Sequence, residues 1–419
     1  MLTFARYLDR GLFNVFVAAY FEGGSQEDVL QDLKIEYVVS NGKVESILNF
    51  IREKKIDIVH IHRSGATIPL ETEIIKGIKK INKNIIILEK NVFGKYDPVC
   101  FSDIDCSFFQ SMMHINERFL PAAGIPFSFE RMKVFYNMVD AKEFEKYRLT
   151  EDQIADYRAR LGIRQFNFVL GKIGRPHIAK WSDLILDMMP YLIENVPNAK
   201  FILIGVPQSR IKRINRSKLR EHFIILPETS DEKQVHSFYQ AIDVLAHSSK
   251  IGECNGNTIN EAMYWEKPVV VNSTPRKDNG QLEQVLHMEN GIVANYPQTY
   301  ARAIAYLAKN PQKRLEMGKS AFNRVKKIND PVLMTKRLEK IFLEKMLEKK
   351  LLPDELQLIN DVEFHPSEQE IINYSQEYNK RIKWGYGTVT KLERFLNASK
   401  LPKVFYLKSR DFIEHRLGI

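Results

Sequence analysis

Two carboxylates, Glu253 and Glu261, stand with seven residues between them around a loop that carries Gly252, Cys254, Asn255 and Gly256. The following chain reads as a helix from about Asn257 to Glu266, which puts Glu253 on the loop and Glu261 one turn into the helix. Ionised carboxylates only accept hydrogen bonds, so the pair suits a ligand rich in hydroxyls. The free N–H groups and positive end of a helix start suit an anion. Nucleotide sugars offer both, through the ribose and hexose hydroxyls and the diphosphate between them. Upstream, Gly174-Arg175 and Lys180, with four residues between the two cations, follow a second apolar run. Each residue also has a plain reading: Glu253 as a solvated loop carboxylate, Glu261 as an exposed helix position, Arg175 and Lys180 as charged surface. Two glutamates at this spacing arise by chance in a chain of this composition, so the surrounding frame has to decide.

That frame runs in a fixed order. The apolar strand Val244 to Ala246 ends in His247-Ser248-Ser249; the loop and helix follow, then Pro268 and the strand Val269-Val270-Val271. Asp278-Asn279-Gly280-Gln281-Leu282-Glu283 and Asn290-Gly291 close it. The segment resembles the donor-binding core of the retaining, family-four type glycosyltransferases of the GT-B fold (glycosyl transferases group 1), which share this carboxylate spacing within a strand, loop, helix, proline, strand order. The resemblance implies catalytic roles for Arg175 and Lys180 on the donor diphosphate and for Glu253 against the transferred hexose. It assigns donor binding to Gly174, to the backbone of Asn255, Gly256, Asn257 and Thr258, and to Glu261, which would accept hydrogen bonds from both ribose hydroxyls. It requires no covalent protein nucleophile, no cofactor and no metal.

The first half of the chain fits the family less closely. Members carry a histidine after the strand equivalent to Ile85-Ile86-Ile87-Leu88, near the transferred sugar; here Asn91 stands in that place, within Glu89 to Gly94. Asparagine can hydrogen-bond a sugar hydroxyl but cannot carry a proton as histidine can. Asn91 and His62 are therefore expected only as sugar or acceptor contacts. His60 and His62 share one face of a buried strand, a geometry open to a metal pair, but no third ligand stands at a recognisable spacing. Gly23-Gly24 reads as a turn.

The elements that must position these residues alternate between buried strands and amphipathic helices, which implies parallel sheets covered on both faces. A short helix over residues 2 to 10 precedes a strand from Phe13 to Ala19. Helices follow near Lys43 to Lys54 and Ile68 to Ile81, and strands at Ile56 to His62, Ile85 to Leu88 and Ile104 to Phe109. A second alternation begins at Phe166 and includes a helix from Trp181 to Asn195. The expected fold is two Rossmann-like domains facing a cleft: an acceptor-side domain over 1–150, a donor domain over 151–330, a crossing helix over 331–349 and a helical appendage over 350–419. Family members open with a strand and a glycine-rich loop. This sequence opens on the helix, so either the first domain lacks that strand or the true start lies upstream.

The 419 residues suffice for two cores, and 44% hydrophobic with 27% charged residues fits a folded globular chain rather than a disordered one. No apolar run approaches the roughly 18 residues of a spanning helix. Three cysteines (Cys100, Cys106, Cys254) at unpatterned spacings point to a reducing, cytoplasmic compartment. The net charge of +10 favours acidic partners. Nucleic acid is not expected, because no recognition module is visible. From Asn379 to Ile419, ten Lys and Arg face three acids among interleaved aromatics. That stretch reads either as a peripheral contact with anionic lipid, beside a lipid-linked acceptor, or as a helical add-on packed on the first domain. The sequence thus reads as an enzyme that transfers a hexose from a nucleotide-sugar donor to a glycan, lipid-linked or other hydroxyl, with retention. A non-catalytic sugar-nucleotide-binding subunit of the same fold is the alternative.

Overall fold

The computed structural model describes residues 2–24, 26–118, 127–274, 277–352 and 362–377. The basic, aromatic stretch from Asn379 lies outside them. The chain divides into two units, one of residues 1–140 and 329–371, the other starting at Ala141 and running to Ile328.

In the first unit, β3 (Ile58–Arg63), β4 (Ile86–Asn91), β5 (Cys106–Phe109) and β6 (Met132–Val134) form one parallel sheet in that order. A separate parallel pair joins β1 (Phe16–Ala19) to β2 (Glu36–Val39). Helices Val44–Glu53 and Pro69–Ile81 cover one face, burying Ile47, Ile51, Ile74, Ile75 and Ile78 on Ile61, Ile85 and Ile87. They approach closely: a methyl group on Gly77 would sit 2.6 Å from the Leu48 Cδ1 atom. The other face is covered by Phe4 of the first helix (Leu2–Tyr7) and by Met334, Leu338, Ile341 and Phe342 of helix Pro331–Glu348. That late helix starts cleanly, with Asp330 accepting from the Leu333 N–H at 2.8 Å and Pro331 at its first turn.

The second unit is one six-stranded parallel sheet. Its strands are β7 (Phe168–Ile173), β8 (Ala199–Ile204), β9 (Phe223–Leu226), β10 (Val244–His247), β11 (Val269–Val271) and β12 (Gly291–Val293), in the order β12-β11-β10-β7-β8-β9. The chain moves outward from β7 to β9, then returns to β10 on the other side of β7. The order therefore reverses between β7 and β10, and in open parallel sheets a ligand crevice forms beyond the carboxyl ends at such a reversal.

Four local expectations change. The strand expected from Phe13 begins at Phe16, because Phe13 packs edge-on against Phe342 with ring centroids 5.6 Å apart instead of joining the ladder. The helix expected over Trp181 to Asn195 is two helices, Leu184–Asp187 and Met189–Asn195, as Pro190 lacks the N–H that a continuous helix needs. Residues 141–150 belong with the second unit. There Leu149 N–H donates to Gln240 Oε1 at 2.8 Å and the Tyr264 hydroxyl donates to Glu145 at 2.6 Å. Residues 362–371, expected in an appendage, are part of the first unit, where Arg337 donates to the Glu363 carbonyl at 2.7 Å and Phe364 packs near Phe135.

Candidate functional site

The carboxyl ends of β7 and β10 carry the second unit's functional candidates. Beyond β7, the single 3-10 turn Ile178–Lys180 is started by His177, whose Nδ1 accepts from the Ala179 N–H at 3.3 Å. This turn aims Lys180 at the loop after β10, where its Nζ lies 2.8 Å from Glu253 Oε2 and 3.4 Å from the Gly252 carbonyl. Glu253 Oε1 lies 3.1 Å from His247 Nε2, and His247 Nδ1 lies 3.4 Å from the Thr258 hydroxyl. Burial alone would push the Glu253 carboxyl up, but its bonds to His247 and Lys180 hold it down at about 2. Burial and the nearby Lys172 charge push His247 down to about 4, against the pull of Glu253. At neutral pH the imidazole is therefore neutral and Lys180 supplies the countercharge. Glu253 is acceptor-only, so Nε2 carries the proton and Nδ1 accepts from Thr258.

The loop is shaped by contact with residues that follow β11, among them Thr274, Asp278, Gly280 and Gln281. Gly252 and Gly256 both take left-handed backbone, with φ of 67° and 85°. A Cβ on Gly252 would lie 1.5 Å from the Asp278 carbonyl, and one on Gly280 would lie 2.0 Å from the Cys254 carbonyl. These glycines serve backbone-to-backbone packing. Gly280 N–H donates to the Glu253 carbonyl at 2.7 Å, and Gln281 Oε1 accepts from the Glu253 N–H at 3.0 Å. The Gln281 amide then reaches the Asn272 carbonyl at 2.9 Å, so one side chain ties Glu253 to the end of β11.

Helix Asn257–Tyr264 starts at Gly256, a glycine that offers the helix start no side-chain cap. Asn255 is buried, and its Oδ1 accepts from Asn260 Nδ2 at 3.0 Å. Asn257 is exposed and Thr258 half-buried. One turn in, Glu261 Oε2 accepts from the hydroxyl of the fully buried Tyr239 at 2.6 Å, while Oε1 has no protein partner among the described residues. Burial raises the Glu261 carboxyl despite that bond. Arg175 is exposed and makes no described side-chain bond; its carbonyl accepts from the Trp181 indole at 3.0 Å. Gly174 lies against Gly205, where an added Cβ would come 2.0 Å from the Gly174 carbonyl.

The sequence candidates of the second half are thus brought to one end of one sheet. Three partners were not anticipated there: His247, Gln281 and Tyr239. The first two stand in the recognised frame without an assigned role. Tyr239 is 22 positions before the glutamate it holds, on another helix (Glu232–Ala241), and nothing local marks it.

In the first unit, Asn91 ends β4 with its side chain turned inward. Its Nδ2 donates to the Lys95 carbonyl at 2.8 Å and to Glu89 at 3.3 Å, and its Oδ1 accepts from the Lys95 N–H at 3.1 Å. It is 1% exposed, so its amide braces the turn that follows. His62 and His60 point to the same side with ring centroids 4.8 Å apart, and each has a buried Nε2 without a partner. His60 is set among Phe4, Phe108 and Phe342. Burial and neighbouring positive charge push His60 down to about 3 and His62 further still, so both stay neutral. Beside them lies a cluster that the sequence did not signal. Arg63, wholly buried, has Nε 3.1 Å from Glu71 and 3.5 Å from Glu89, and Nη2 2.6 Å from Asp97.

Residues 153–324 match the family model described as glycosyl transferases group 1. The alpha-monoglucosyldiacylglycerol synthase of Acholeplasma laidlawii is 26% identical over 178 residues, 42% of this chain and 43% of that protein. A trehalose synthase of Pyrococcus horikoshii is 27% identical over 172 residues, 38% of this chain and 40% of that protein. The chain thus spans less than half the length of these curated relatives. Solved structures extend the likeness in fold. A glycosyltransferase of Rickettsia africae matches with a TM-score of 0.66 at 17% identity, covering 82% of this chain and 93% of that one. Anabaena HepE, solved in complex with UDP and glucose, matches at 0.60 and 21%, covering 78% and 91%. The two parallel α/β units share the fold of GT-B glycosyltransferase structures, and residues 153–324 are where the chain matches the glycosyl transferases group 1 family.

Proposed function

We propose that the chain transfers a hexose from a nucleotide-sugar donor to a hydroxyl of a glycan or lipid-linked acceptor, with retention of configuration. One observation carries this reading: an ionised Glu253, clamped between Lys180 and neutral His247, stands at the strand-order reversal, eight positions before a Glu261 held by Tyr239. Glu261 Oε1 is open to a ribose hydroxyl. Arg175, Lys180 and the start of helix Asn257–Tyr264 offer cations and N–H groups to a diphosphate. Glu253 orients the hexose. As the bond to the sugar breaks, charge grows on the diphosphate, and cations already in place stabilise it without reorganisation. The acceptor hydroxyl attacks from the face the nucleotide leaves, and its proton passes to the departing phosphate oxygen. No protein nucleophile and no divalent metal takes part.

The HepE complex with UDP and glucose supports a uridine nucleotide as the first donor to test, and the Acholeplasma relative supports a lipid acceptor. Among the described residues no helix is long and apolar enough to cross a membrane, so contact with a lipid-linked acceptor would be peripheral. The test incubates the full chain with UDP-glucose and other nucleotide sugars, with glycan and diacylglycerol acceptors, and reads the product's anomeric centre by NMR. Retained configuration, undiminished by EDTA, is expected. Donor binding without turnover across the panel would establish the binding-subunit alternative.

A further inference from the structure

Strand β7 reads Phe168-Val169-Leu170-Gly171-Lys172-Ile173, and it runs through the middle of the second unit's sheet with β10 on one side and β8 on the other. Lys172 is 0% exposed there. Its Nζ has no hydrogen-bond partner, and its ammonium group lies 4.9 Å from the centroid of the Trp181 ring, which is itself buried. A lysine in the centre of a buried sheet costs stability unless paired, and an apolar residue would fill the same volume at no such cost. The buried Arg63, by contrast, has carboxylates around its guanidinium. Lys172 has only the ring face beside it and, within Coulombic range, the Glu253 carboxylate and the like charge of Lys180.

We propose that Lys172 is a positioning residue of the donor site, a cation sealed beneath the Glu253–Lys180–His247 cluster that sets the cluster's charge and strengthens its hold on a diphosphate. Two cations, Lys180 and Lys172, then act on the one carboxylate of Glu253, leaving a net positive charge there for an anion to meet. Lys172 acts without touching the ligand, through two routes. One is the field it adds at Glu253 and His247. The other is Trp181, whose ring faces the ammonium and whose indole N–H holds the Arg175 carbonyl. The first route makes the grip pH-dependent. Burial pushes Lys172 down to about 8. The charged groups facing it behave differently across the same range: Glu253 stays ionised and His247 stays neutral above pH 7. A bound diphosphate favours the charged amine, so binding takes up a proton near and above pH 8, and affinity falls as the pH rises through that value.

The diphosphate part of this inference rests on the function proposed above; the charge-setting part does not, and the experiment separates them. In the ligand-free protein, Lys172→Met should raise the midpoint of thermal unfolding at pH 7, because an unpaired buried charge is removed, and His247 should titrate higher by roughly half a unit, read by NMR of its ring. With UDP as the probe, Lys172→Met should bind about tenfold more weakly at pH 7 and lose the decline in affinity between pH 7 and 9.5. Calorimetry of wild-type protein at pH 8.5, in two buffers of different ionisation enthalpy, should show proton uptake on UDP binding, whatever becomes of the variant. A lower unfolding midpoint with His247 unmoved would overturn the proposal and make Lys172 a packing residue. UDP affinity and pH profile equal to wild type would overturn the diphosphate part. If UDP binds neither protein, the proposed donor fails, while the unfolding midpoint and the His247 titration still decide the charge-setting role.

Discussion

The carboxyl ends of the two parallel sheets are both polar, yet they handle charge in opposite ways. In the first unit, Arg63 is enclosed by Glu71, Glu89 and Asp97, and Asp97 is bonded in turn by Thr67 and the Val99 N–H, Glu89 by Ser107 and Asn91. These groups hold the loops after β3 and β4 to one another. In the second unit, Arg175 is exposed, Glu261 keeps one oxygen open, and Lys172 has no partner atom. In the first arrangement the buried cation is surrounded by internal carboxylates, whereas in the second Lys172 has none in contact and Arg175 faces solvent. Perturbed charges alone would not separate them, since both ends contain shifted carboxyls. What separates them is whether the partners are internal.

Substitutions should sharpen that contrast, the largest effect falling on the closed cluster. Arg63→Met leaves three carboxylates buried with no cation, and breaking such a pair costs about 3–5 kcal/mol. Glu71 and Glu89 are already raised by burial, and loss of Arg63 raises them further. A carboxyl raised in the folded state costs stability above its unfolded pKa, and the cost grows until the pH passes the folded value. Urea unfolding should therefore show a larger deficit at pH 8 than at pH 5. An unchanged midpoint at pH 8 would break the distinction between the two sheet ends.

In the second unit the same kind of change should strike function rather than stability. Lys180→Ala removes a charge-assisted contact on a half-buried side chain, and loss of such a contact to the reacting diphosphate is worth about 1.5–3 kcal/mol, a ten- to hundredfold fall in kcat/KM. The unfolding midpoint should shift little, because the Lys180–Glu253 pair is partly solvated, at 23% and 15% side-chain exposure. Steady-state kinetics beside urea unfolding checks both. Smaller again is Tyr239→Phe, which frees the Glu261 carboxylate from one neutral donor. UDP affinity should fall by about 1 kcal/mol, roughly fivefold, with kcat unchanged; a drop in kcat alone would place Glu261 away from the ribose.

Much of this contrast was visible from the sequence in the second half and little of it in the first. Glu253 and Glu261 sit in a frame whose strand, loop and helix follow one another locally, and the resemblance assigned Arg175 and Lys180 to the same site although Lys180 stands 73 positions before Glu253. The helix Pro69–Ile81 was equally legible, because Ile74, Ile75 and Ile78 recur at helical spacing. The Arg63 cluster draws on β3, the helix after it, β4 and the next loop, and no local pattern says that Arg63, Glu71, Glu89 and Asp97 converge. Asn91 was read as facing a ligand from its place at a strand end, but the turn at Lys95 takes up its amide. Gly252, which the sequence showed only as part of the loop, admits the Asp278 carbonyl. Lys172 stood in plain view as the one charge in an apolar run, a local inconsistency of the kind expected at functional positions.

The smallest effect concerns His60, and it tests whether the first unit's histidines belong to its closed, structural end. His60 is neutral in the fold, its proton affinity lowered to about 3 by burial among Phe4, Phe108 and Phe342 and by the charge of Lys90. In the unfolded chain it titrates near 6.5. Between those values the unfolded state binds the extra proton, so stability present above pH 6.5 is lost as the pH falls toward 3. Phenylalanine fits the same aromatic surroundings and removes the buried Nε2, which has no partner. His60→Phe should therefore change stability at pH 7.5 by less than about 1 kcal/mol and should flatten the slope of stability against pH below 6.5. Urea midpoints at pH 7.5, 6.0 and 5.0 provide the measurement. A large loss at pH 7.5 together with an unchanged acid slope would mean that the imidazole makes a necessary polar contact, and the first sheet's carboxyl end would then share the open character of the second.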